Sequence, residues 1–244
     1  MMRTTLIALI ALAPTAGLAG NVHVTVKNDL RCITSDGLPD HATGRFPTRG
    51  NPNTIQRQTI RFCVDATPEY SGKAQQVQAT GVATNGIIIR PGTADWYDAS
   101  APRGHSRNSA SGWRLDAMGA PNRLGLDTNN AHVDHRGLYH YHGIAQPLAD
   151  DPDTLIGWAA DGFEIHYAGD QVQSSYRLKS GTRPTAPGGA FDGTYVQDWA
   201  YVKGAGDLDE CNGAMVNGTY TYFATDGFPF FPHCLKGKQI MRQR

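Results

Sequence analysis

The sequence predicts a mainly β fold, a single-domain β-sandwich or barrel-like sheet with long Gly/Pro-rich loops and little helix. Three observations carry that expectation. The 244 residues include 28 Gly and 14 Pro with no Gly-x-y period, which fits many turns and excludes collagen. Short apolar or alternating segments recur between turn signals every eight to twelve residues or so, the spacing of all-β folds. Helical periodicity is weak, while a hydrophobic fraction of 40% suffices for a core.

The first segment reads as an address. In residues 1–19 (MMRTTLIALIALAPTAGLA), Arg3 is followed by an apolar run from Leu6 to Ala13, then by small residues ahead of a cut after Ala19. That is the secretory signal pattern. The run is shorter than the roughly 20 residues a bilayer span needs. Residues 20–244 are therefore expected as a single exported domain, periplasmic or secreted, with no membrane span. Lys+Arg (22) balance Asp+Glu (22), so the cation surplus of a nucleic-acid binder is missing.

Cys32, Cys63, Cys211 and Cys234 suit an oxidising compartment and allow three pairings. The local pairing, Cys32–Cys63 with Cys211–Cys234, is favoured because each bridge ties down a Gly/Pro-rich segment. Loop entropy makes each worth about 3.5 kcal/mol. There is no CxxC, and paired cysteines leave no thiol for Cys–His chemistry.

Residues 21–27 alternate Val22, Val24 and Val26 with polar residues, predicting a half-buried strand with His23 on its wet face. Residues 28–58 read as one long irregular loop. Strands are expected at 59–65, 75–83, 86–90, 138–142, 155–160, 163–167, 195–202 and 218–224, and one short helix within 107–118.

The densest chemistry lies in residues 127–143. Alternation along a strand at 138–142 puts His140 and His142 on one face and Tyr139 and Tyr141 on the other. The two histidine Cβ atoms would be roughly 7 Å apart, close enough for both rings to reach one ion at about 2.0–2.1 Å. Asp134-His135-Arg136-Gly137 has the composition of a hairpin turn. Such a turn folds His132 back beside His140 or His142. Three histidines on a β scaffold with an open position suit a transition metal, zinc or copper above all.

The chain resembles the YHYH-domain family of exported bacterial proteins on these residues and well beyond them. The similar segments are SDGLPDHATGRFP and GNPNTI (35–55), GVATNGIII (81–89), LGLD…AHV…GLYHYHG (124–143), AADGFEIHY (159–167) and SSYRLKSGTRP (174–184). DGTYVQDWAYVKGAGDLDECNG (192–213) and GTYTYFATDGFPFFPHCLKG (218–237) complete them. The resemblance implies export and one domain more than any reaction. It carries Asp127, His132, Gly137, the Tyr139–Gly143 run, Asp161, Gly162, Phe163, Asp209, Cys211, Asn212 and Gly213. This chain departs from the pattern at His166, at His135 and at Ala214, where a basic residue is expected.

Further candidates are polar residues around this stretch. Asp127 is a candidate direct ligand or a partner that supports a ligand, and Asp161 a candidate partner for a ligand histidine's free ring nitrogen. Tyr139 or Tyr141 could supply a proton donor. Asp207, Asp209 and Glu210 could hold calcium through their oxygens, although their spacing is not that of a calcium loop. His41 and His233 have no assignable partner, and no G-x-S-x-G supports a serine triad. Three functions compete: a metal-dependent hydrolase or lyase acting on a small-molecule or carbohydrate substrate, a copper- or zinc-handling protein without turnover, and a sugar-binding module. The last would stack Trp96, Trp113, Trp158 or Trp199 on its ligand.

Overall fold

The computed structural model describes residues 20–149 and 154–239; the expected signal peptide lies outside them. β1 (Val22–Lys27) and β2 (Leu30–Ser35) form an antiparallel hairpin. Its turn residues Asn28 and Asp29 have φ of 51° and 58°. Two left-handed residues give a turn whose twist matches that of the strands, and Asn and Asp tolerate the conformation. This hairpin replaces the first part of the expected 28–58 loop. β1 is an edge strand, so the expected half-burial fails: Val24 is 44% and Val26 61% exposed.

β3 (Ile60–Asp65) pairs with β2, and the Cys32–Cys63 disulfide joins residues directly opposite each other on the two strands. β4 (Tyr70–Gln76) and β5 (Gly81–Ala83) divide the segment expected as one strand. β6 is Ile88–Ile89. Between β5 and β6, Gly86 turns at φ 81°, and a Cβ there would lie 2.5 Å from Ser35 Oγ.

β7 (Gly92–Tyr97), β8 (His105–Ser106) and β9 (Arg114–Asp116) make a small sheet of order β8-β7-β9. The helix expected within 107–118 is a single 3₁₀ turn, Ser109–Ser111. The Asn108 side chain caps it, and Gly112 at φ 73° ends it. Pro121–Leu124 (α1) is the one α-helix among the described residues.

The remaining strands are β10 (Ala131–Val133), β11 (Tyr139–Tyr141), β12 (Thr154–Ala159), β13 (Glu164–Tyr167) and β14 (Tyr176–Leu178), followed by β15 (Trp199–Tyr201), β16 (Gly213–Val216), β17 (Thr219–Ala224) and β18 (Cys234–Gly237). Eight strands form the main sheet, in the order β10-β11-β6-β5-β12-β13-β17-β16. Its pairs are antiparallel except β11/β6 and β13/β17. Its free edges, β10 and β16, mean that it does not close, so the architecture is sandwich-like and not a barrel. Cys211–Cys234 ties the approach to β16 to β18.

One large core cluster joins Ile33 and Phe62 to Ile87, Ile88, Ile89, Tyr139, Tyr141, Ile156 and Tyr222. A second cluster of Trp113, Leu115, Leu124 and Tyr195 packs the small sheet and α1 together. Asp198, fully buried, pins the loop that carries Tyr195. It accepts hydrogen bonds from Arg183 Nε at 2.8 Å and from the main-chain N–H groups of Gly193 and Tyr195. Removing Asp198 takes away the buried partner and leaves Arg183 only the half-exposed Asp192. Asp198→Ala is expected to lower the unfolding free energy by about 3–5 kcal/mol in urea melts with the disulfides intact. A loss below about 1 kcal/mol would show that the pair does not anchor the second core.

Candidate metal centre

The hairpin β10–β11 forms in the expected register. Asp134 N–H donates to Leu138 O, and Gly137, at φ 82°, donates to Asp134 O. His132 falls directly opposite His140 across the pair. His142, one residue beyond β11, keeps the alternation and shares their face. Parallel pairing of β11 with β6 sets His140 beside Ile88, so both histidines of the Tyr-His-Tyr-His run are only 2% exposed.

Each ring is held from behind by a main-chain carbonyl. His132 Nδ1 lies 2.7 Å from Leu124 O, His140 Nδ1 3.1 Å from Leu138 O, and His142 Nδ1 3.2 Å from Pro91 O. A carbonyl can only accept, so each Nδ1 carries the proton and each Nε2 presents a lone pair. The His142 Nε2 atom is 3.1 Å from Nε2 of both His132 and His140. Two nitrogens bound to one tetrahedral metal at about 2.0–2.1 Å are about 3.3 Å apart. Three lone pairs at this spacing repel unless a cation sits among them, and the donor set fits a transition metal. Among the described residues, this is the group of His, Cys, Asp or Glu able to hold an ion.

Burial lowers the pKa of all three histidines, most strongly at His140 and His142. The Arg90 guanidinium also disfavours their charged forms. One Arg90 nitrogen lies 3.2 Å and 3.3 Å from the two nitrogens of His140, which places it over the ring face and not on either lone pair. Asp134 accepts from the same nitrogen at 3.1 Å.

The histidines open onto a cleft of about 740 Å³ between the β10–β11 edge and the small sheet. Arg90, Asp95, Trp96, His105, Arg107 and Arg114 are among the residues that line it. His105 Nδ1 is 3.0 Å from Asp95 Oδ1, and His105 Nε2 has no protein partner among the described residues. Sequence reading missed Arg90, Asp95, His105 and Arg114. The available signal was compositional: sixteen of the 22 basic residues are arginine.

Several expected residues are placed elsewhere. Asp127 is not beside the histidines; it accepts from Tyr139 Oη at 2.8 Å and from main-chain N–H groups of Gly44 and Asn129. Tyr139 and Tyr141 are fully buried on the opposite face of β11, where Tyr141 Oη meets Asn85 and His41. Neither hydroxyl reaches the histidine side, and burial raises the pKa of both. Asp161 does not orient a ligand histidine. It sits at the β12–β13 turn, accepting from Tyr222 Oη at 2.7 Å and from the Gly237 N–H.

The calcium expectation also fails. Lys236 Nζ binds Asp209 at 2.8 Å and Glu210 at 3.0 Å, while Asp207 accepts from the Gln173 N–H. His135 is exposed at the cleft rim, and His166 contacts Glu164. His233 is packed on Phe228, and burial lowers its pKa to about 3. Trp113 and Trp158 are buried, so the four tryptophans form no exposed strip.

The family model described as "YHYH protein" matches residues 61–237. No curated protein and no solved structure matches the chain. No helix among the described residues is long and apolar enough to cross a membrane.

The lowered histidine pKa values make the stability of the metal-free protein depend on pH. The unfolded chain protonates these rings below about pH 6.5, whereas the folded, metal-free protein holds them neutral. Stability is therefore fully present above that value and falls as pH drops below it, by up to about 1.4 kcal/mol per pH unit for each ring. Chelator-treated wild type should lose thermal stability below about pH 6.5 more steeply than His140→Leu. Parallel pH profiles for the two proteins would contradict the burial of neutral imidazoles.

Proposed function

The chain belongs to the YHYH protein family, and from that membership and the histidine geometry we propose that it is an exported metal-dependent hydrolase. Nε2 of His132, His140 and His142 would hold the metal, zinc or copper. The observation that carries this reading is the set of three Nε2 atoms turned toward one another at the wall of a cleft. Three protein ligands beside open space leave a coordination position for substrate, the arrangement of catalytic and not structural zinc. A metal held there would supply Lewis acidity toward an oxygen-bearing ligand in the cleft.

The protein's own residues supply the remaining roles. The Leu124, Leu138 and Pro91 carbonyls orient the ligands. Asp95 takes the Nδ1 proton of His105 into a hydrogen bond, leaving Nε2 to accept a proton from a nucleophile and return it to a leaving group. Arg90 places positive charge beside His140 without occupying its lone pair. Export through residues 1–19 is part of the proposal, and the two disulfides support it.

Metal handling without turnover is the second reading, favoured by the near-complete burial of His140 and His142. Wild type loaded with zinc or copper and desalted is expected to hold about one ion per chain by elemental analysis. His140→Ala/His142→Ala should lose it, and Asp127→Asn, on the tyrosine side, should keep it. Equal metal in wild type and the double variant contradicts the site. His105→Gln should retain metal yet slow hydrolysis of chromogenic nitrophenyl esters by about a hundredfold or more. Full metal occupancy with no turnover above the double variant selects the second reading.

A further inference from the structure

We infer that the cleft recognises small molecules through a tetrahedral oxyanion group, phosphoryl or sulfuryl, gripped by Arg90, Arg107 and Arg114 beside the histidines. The inference deepens the hydrolase reading and rests on it for the position of the metal.

Charge in the cleft is unbalanced. Basic and acidic residues balance over the chain, yet five arginines line this cleft against Asp95 and Asp134. Both carboxylates are already committed. Asp134 accepts from Arg90 and from the N–H groups of Arg136 and Leu138, and Asp95 holds His105. Arg103 is likewise satisfied, by the carbonyls of Gly50 and Arg123. Positive charge is left over, and it faces the cavity.

The guanidinium groups of Arg107 and Arg114 have donors to spare. The exposed Arg107 makes no hydrogen bond or ion pair among the described residues, and the Arg114 side chain makes no hydrogen bond there, its Nε being shielded from solvent. Arg114 lies over the Trp96 ring, 5.9 Å from the centroid, which orients its planar fork. Asp116 is within electrostatic reach of Arg114, but its carboxylate accepts main-chain N–H groups of Met118 and Gly119. Arg90 is fixed over the His140 ring by Asp134, so one guanidinium stands beside the histidines. Guanidinium forks match pairs of phosphoryl or sulfuryl oxygens and hold them bidentately.

The cleft is also large. About 740 Å³ is far more than an inorganic ion fills and lies in the range of small-molecule sites, so the oxyanion is one end of a larger ligand.

The test is titration calorimetry on the zinc-loaded mature chain with inorganic phosphate, sulfate and acetate, each sample also assayed for metal. Phosphate and sulfate should bind, acetate should bind at least about tenfold more weakly, and added salt should weaken all three. Arg107→Gln and Arg114→Gln should each lower phosphate affinity by roughly tenfold or more with metal content unchanged, and Arg114→Lys should recover part of the loss. Arg107 is exposed, so its variant remains informative if Arg114→Gln does not fold. Phosphate binding that is absent, no better than that of acetate, or unchanged in Arg107→Gln overturns the inference. Wild type that holds metal but binds no phosphate leaves the hydrolase reading standing. Arginine-dependent phosphate binding by a chain that holds no metal supports the inference and removes the metal.

Discussion

Each clustered imidazole gives its Nδ1 to a main-chain carbonyl, of Leu124 behind His132, Leu138 behind His140 and Pro91 behind His142. The rest of the site depends on this constraint. A carbonyl fixes the protonated nitrogen without adding charge, and it fixes the ring direction, so the Nε2 lone pairs converge without help from a carboxylate. The three carbonyls come from different places: the end of α1, the residue before β11, and the turn between β6 and β7. The cluster therefore forms only when the main-sheet edge, the short helix and the small sheet are all assembled. Burial then holds the rings neutral, which is the state a metal requires.

The opposite wall of the cleft is built on the second core. Leu115 and Tyr195 pair across an isolated bridge and carry the strand that presents Arg114. That core depends in turn on the buried Arg183–Asp198 pair. The histidine wall rests on the larger core, whose tyrosines lie directly behind the histidines. Tyr139 and Tyr141 thus serve the site as its backing: their hydroxyls, engaged by Asp127, Asn85 and His41, lock β11 from the far side.

What could be read from the sequence was local. The turn at Gly137, the alternation along the Tyr-His-Tyr-His run and the resulting approach of His132 all follow from period-two geometry over a dozen residues, and the structure has them. The pairings Cys32–Cys63 and Cys211–Cys234 followed from proximity in the chain, since each bridge ties down a Gly/Pro-rich segment. What was missed is non-local. Nothing near His105 or Arg114 announces that a three-stranded sheet will carry them to the histidines. Asp127 and Asp161 looked like ligand partners because carboxylates near histidines often are, yet each had a closer tyrosine and main-chain N–H groups to satisfy. The helix expected within 107–118 yielded to Asn108 and Gly112, a cap and a stop with only three residues between them. Val24 and Val26 alternate as a buried face should, but no neighbouring layer covers them.

The central claim is that His132, His140 and His142 together bind one transition metal. X-ray absorption at the metal edge of the zinc- or copper-loaded protein tests it most directly. The account predicts three imidazole nitrogens at about 2.0–2.1 Å, one further light-atom ligand and no sulfur. A spectrum with fewer than three imidazoles, or one that His140→Ala/His142→Ala leaves unchanged, contradicts it.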